Sequence, residues 1–85
     1  MTSTTGSRIQ MYLDALGWSA VELSRRTLIH LPDLQLILSG ETEPTYAQMM
    51  NIINKINTQY PADEHWSIYQ FICDPFNTQS EDKRK

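Results

Sequence analysis

Helix start and stop signals punctuate this chain at short intervals, and no other feature constrains its fold as much. Gly17 and Gly40 each follow an apolar run and suit the left-handed residue that closes a helix. Ser7, Ser19 and Thr45 (or Pro44) stand where helices begin, and Glu22, three residues after Ser19, completes a capping-box pattern. Pro32 fits only a first turn, while Asn57, Thr58 and Pro61 break the fourth segment. Isolated helices below about 12–15 residues are marginal in water. Segments this short must hold by packing on one another, so the fold class is all-α, a bundle of four to five helices.

The apolar spacing agrees. Ile9, Tyr12, Leu13 and Leu16 fall at helical intervals, and a second helix runs through Val21, Leu23 and Arg26 to Thr27. After a Leu28–His30 connector, a third helix is predicted from Leu31, with Asp33 complementing its positive end and Leu34, Ile37 and Leu38 as its buried set. The stretch "ETEPT" reads as a loop, and Tyr46, Met49, Met50, Ile52, Ile53 and Ile56 stripe the fourth helix. In "DEHWSIYQFICDPF", Asp63 reads as a cap and Trp66, Tyr69, Ile72 and Cys73 are spaced for a helix, with Ile68 and Phe71 off that stripe. A segment apolar nearly all round calls for burial on more than one side. Its residues also favour strands, but helix ranks first. Residues 1–6 read as a disordered start, 7–57 as the folded domain, 58–76 as a C-terminal helical extension and 77–85 as a disordered tail.

Charge and cysteine usage narrow the function. The 85-residue chain carries a net charge of −3. Before the tail, Arg8, Arg25, Arg26 and Lys55 are the only cations against eight carboxylates, which makes the body a poor non-specific binder of nucleic acid. Cys73 is the only cysteine, so internal disulfides and cysteine-based metal sites are excluded and a buried thiol is expected. No apolar run approaches the roughly 20 residues that span a bilayer, and "MTSTTGSR" lacks a hydrophobic signal core. The expectation is a cytoplasmic protein without membrane contact. His30 and His65 lack partners at metal-ligand spacing, Ser24 and Ser39 lack a paired base, and Gly6, Gly17 and Gly40 form no phosphate loop. Neither catalytic residues, a metal nor a cofactor is expected, and the chain does not read as an enzyme.

The order of residues from Ser19 to Ile56 is more specific than a bundle. Ser19, Glu22, Leu23 and Ser24 are followed by Ile29 in the turn, Leu34 and Ile37 in the third helix, Gly40, and Pro44 before the fourth. This register resembles the phage-repressor/Cro-like helix-turn-helix family, also known as the lambda repressor-like DNA-binding domain, over residues 7 to 57. "GETEPTYAQMMNIINKI" fits its Gly-x-x-x-Pro-then-helix passage without a gap. The resemblance implies a dimeric DNA-binding transcriptional regulator, a repressor-type protein that sets its third helix into the major groove of double-stranded DNA. It places Ser19, Arg25, Arg26, His30, Asp33, Gln35, Thr42, Thr45 and Tyr46 as DNA-contacting candidates.

The departures from the family pattern lie on that same face. Ala20 stands where a phosphate-binding Gln is usual, Leu28 where the turn usually has Gly, and Leu31, Pro32, Asp33 and Leu36 where polar base readers are usual. Base discrimination rests on Arg, Lys, Asn or Gln, and Gln35 is the one such residue in the third helix. The alternative is therefore the same fold used as a protein–protein interaction module, with Leu28, Leu31 and Leu36 as its contact residues. Trp66, Tyr69, Ile72 and Phe76 in the extension are the candidates for a homodimer interface.

Overall fold

The computed structural model describes residues 4–84, with side chains described through Asp74. It contains five helices: α1 (Thr5–Leu16), α2 (Ala20–Thr27), α3 (Leu31–Ser39), α4 (Tyr46–Asn57) and α5 (Ala62–Arg84), with no strand among the described residues. The all-α expectation therefore holds, and the strand alternative for "WSIYQFI" falls, because those residues lie in one continuous helix.

α1 starts earlier than the sequence reading places it. Thr4, not Ser7, is the N-cap. The Ser7 N–H donates to Thr4 Oγ1 at 3.0 Å and the Thr4 N–H donates to Ser7 Oγ at 3.1 Å, a complete capping box. Thr5 and Gly6, expected in a disordered start, are buried. The reason is at Gly6, where a Cβ would coincide with the Ile37 carbonyl oxygen of α3. α1 crosses α3 too closely there for any side chain, and that crossing holds the first turn in place.

Ser19 caps α2 as expected, accepting from the Glu22 N–H at 3.1 Å. The reciprocal half of the expected box is not observed, and the Glu22 carboxylate instead accepts from Arg26 Nε at 2.7 Å. Leu28 then closes α2 with φ 65° and ψ 21°, its N–H donating to the Ser24 carbonyl at 2.8 Å. The connector is tied from below. Ser24 Oγ donates to the Ile29 carbonyl at 2.5 Å, Thr27 Oγ1 donates to Leu23 O at 2.8 Å, and Asn51 Nδ2 of α4 donates to Thr27 O at 2.8 Å. α3 begins after His30, which holds the cap position without a side-chain hydrogen bond, and ends at Gly40 with φ 88°. α4 opens on a second full capping box between Thr45 and Gln48.

Each helix contributes one buried stripe to a common core: Ile9 and Leu13 from α1, Leu23 from α2, Leu34 from α3, Met49, Ile52, Ile53 and Ile56 from α4, and Ile68, Ile72 and Cys73 from α5. Ile72 was expected at a dimer interface and is instead fully buried in this core. Its stripe with Ile68 and Cys73 turns toward α1 and α4, so the extension folds back on its own domain. Arg8 clasps the two layers. Its Nη1 donates to the Phe71 carbonyl at 2.9 Å, lies 3.5 Å from Asp74, and its guanidinium sits 4.5 Å above the Phe71 ring. At the other end, the His65 Nε2–H reaches the Asn57 and Tyr60 carbonyls at 2.8 and 2.9 Å and closes the α4–α5 corner. The tail expected as disordered from residue 77 lies within the span of α5, which extends to Arg84; Phe76 and the residues after it fall outside the described side chains.

Candidate nucleic-acid interface

α3 is held to α1 and α2 by Leu34 and Ile37. Its outer row is open: Pro32, Asp33, Gln35, Leu36 and Ser39 are exposed, Leu31 is half-buried, and Leu38 packs against the core. α5 packs on α1 and α4. The exposed face carries one amide, one carboxylate and no cation.

The other candidates sort by what already holds them. Ser19 Oγ and Thr45 Oγ1 serve as helix caps. Arg26 is committed twice, to Glu22 and to the Trp18 ring 4.2 Å below its guanidinium. Arg25, one residue earlier, is exposed and makes no ion pair among the described residues. His30 and Thr42 are exposed. Leu28 is 88% exposed. A leucine in the left-handed region already costs about 1–2 kcal/mol, so this position combines backbone strain with apolar exposure.

Tyr46, assigned by sequence to the DNA face, also borders a groove between α4 and α5. It is 55% exposed and hydrogen-bonds Tyr69 of α5. That bond, with the Cys73 thiol nearby as a second cause, pushes the Tyr69 hydroxyl up to about 12 and keeps it protonated. Burial pushes the Cys73 thiol up, partly offset by its hydrogen bond with Tyr69, and its Sγ lies 3.7 Å from Met49 Sδ. The thiol is therefore a poor nucleophile where it stands.

Tyr46, Met50, His65, Trp66 and Tyr69 line an open groove of about 520 Å³ between α4 and α5. Trp66 is 65% exposed and stacks on Tyr69, with ring centroids 5.4 Å apart and planes 20° from parallel. Trp66 and Tyr69, both expected at an interface, do lie on one surface; Ile72 does not. Sequence spacing did not link Tyr46 or Met50 to them, because that pairing depends on how α5 folds back across α4. Met11, Tyr12, Ala15 and Phe71 line a smaller hollow of about 250 Å³. Val21 of α2 is exposed.

Among the described residues no group of three or more His, Cys, Asp or Glu could hold a metal ion, and no helix is long and apolar enough to cross a membrane. Compared with family models, with curated proteins and with solved structures, the chain matches none.

Proposed function

We propose that this protein is a small dimeric helix-turn-helix regulator of transcription, in which α2, the 28–30 connector and α3 form the DNA-binding unit. The observation that carries the reading is the placement of α3. It is anchored by the buried Leu34 and Ile37, with Leu38 packed against the core, and leaves an outer row through Pro32, Gln35, Leu36 and Ser39 uncovered. A helix presented this way on a compact body has the shape that the major groove admits. Arg25 at the end of α2 and Thr42 before α4 flank α3 in sequence and are exposed for phosphate contact. Two copies joined through the Trp66–Tyr69 groove would present two such helices to half-sites about one helical turn, roughly 34–36 Å, apart.

The deciding experiment is selection from a pool of random duplexes at low salt. A regulator enriches a palindromic sequence. Failure to enrich any duplex at low salt sinks the reading.

One observation favours a second reading, the same scaffold acting as a protein-interaction module. Leu28 is almost fully exposed in a strained conformation, and strained, exposed residues concentrate at working surfaces. Its probe is the double change Leu28→Asp with Leu36→Asp, chosen over changes at Leu31 because Leu31 is half-buried. The module reading predicts an intact fold and loss of partner capture; a pulldown that does not change places the surface elsewhere.

A further inference from the structure

Resting on the regulator reading, we infer that α3 recognises A·T base pairs through thymine methyl groups, with Leu36 as the residue that sets this specificity and Gln35 as its adenine-reading neighbour. Guanine is read through its N7 and O6 acceptors by Arg or Lys, and α3, "LPDLQLILS", contains neither. Its one exposed amide, Gln35, matches the acceptor and donor that adenine displays at N7 and N6.

Leu36 is 40% exposed on the outer row. A branched apolar side chain has one complement on the groove floor, the C5-methyl of thymine. Pro32 stands four residues earlier on the same face, about 6 Å along the axis. Its ring adds a second apolar contact and no hydrogen-bonding group. Asp33 beside it repels phosphate oxygens and the N7 and O6 acceptors of purines, and can accept only from a base amino group such as adenine N6 or cytosine N4.

The charge layout fits the same target. Of the two α2 arginines, Arg25 makes no ion pair among the described residues and lies outside α3, while the row through Pro32 and Leu36 is uncharged apart from Asp33. A·T-rich major groove has this arrangement, with phosphates on the rims and methyl groups on the floor. An acidic body gains little from phosphates, so the methyl contacts carry a larger share of the specificity than they do in a basic DNA-binding protein.

The test uses the full chain and its enriched duplex. Each thymine of a half-site is replaced in turn by uracil, which deletes the methyl and nothing else. Burying one such carbon is worth about four-fold in affinity. At the position facing Leu36 we expect about a four-fold loss for one half-site and about fifteen-fold for both. Leu36→Ala should bind the thymine and uracil duplexes equally, a result that separates methyl contact from a fold defect because the uracil duplex is the internal control. An enriched palindrome on which uracil substitution has no effect, or one built on G·C pairs, overturns the methyl readout and leaves the regulator reading standing. No enriched duplex overturns both.

Discussion

At the scale of single residues, the positions that break a local rule are the informative ones. Leu28 accepts a left-handed backbone that glycine adopts freely, and it buries almost nothing in return. Leu28→Gly relieves strain of about 1–2 kcal/mol against an entropic cost of about 0.5–1 kcal/mol, so a modest rise in the urea midpoint is expected, while Leu28→Ala should bring none. A Leu28→Gly midpoint below that of Leu28→Ala would mean the strain is absent. Thr5 presents the opposite case. It is fully buried, and its Oγ1 has no hydrogen-bond partner. Thr5→Val keeps the shape and removes the orphaned hydroxyl, so thermal unfolding should shift upward by the equivalent of about 1 kcal/mol. A downward shift would show that the hydroxyl is satisfied in solution.

At the scale of elements, helix identity was legible and helix entry was less so. Gly17, Ser19, Gly40 and Thr45 stand in the sequence as the punctuation they become in the structure. A cap signal is local chemistry, readable without knowing what packs nearby. The first helix was misplaced because Thr4 and Ser7 are both good caps, and the choice between them depends on the long-range crossing of α1 over α3. The same limit applied to α5. Trp66, Tyr69 and Ile72 share a helical stripe in the sequence, but packing against α1 and α4 selects Ile68, Ile72 and Cys73 for the core and leaves Trp66 outside. The α1–α3 crossing gives the sharpest element-level test. Gly6→Ala forces α1 away from the Ile37 carbonyl. Overpacking of this kind costs about 1–3 kcal/mol, and the clash is with backbone, which cannot rotate aside. The variant should melt well below wild type, whereas Gly17→Ala meets no neighbouring atom and bears only the strain of φ 75°. Equal losses at the two glycines would mean that the crossing is not tight.

At the scale of the whole molecule, the surfaces divide between two proposed roles, and each makes a separable prediction. The groove between α4 and α5 holds the exposed Trp66 stacked on Tyr69. In the dimer proposed here, one patch must face its own copy across a two-fold axis. Trp66→Ala should then shift sedimentation at micromolar concentration from dimer to monomer without altering helix content; a wild-type protein already monomeric there removes the dimer from the proposal. The proposed DNA-binding unit of α2 and α3 is tested through charge instead. Each phosphate neutralised on duplex DNA adds about −0.9 to the slope of log affinity against log salt. Arg26 is held by Glu22 and Trp18, which leaves Arg25 as the α2 cation without an ion pair among the described residues. One such contact from each protomer gives a slope contribution of about −1.8 for the dimer. Arg25→Ala should flatten the measured slope by that amount and weaken all sequences alike, because a phosphate contact carries no base information. Arg26→Ala should change the slope far less. If Arg26→Ala flattens it as much as Arg25→Ala does, the Glu22–Arg26 pair opens on binding and the electrostatic footprint extends along α2 toward Trp18.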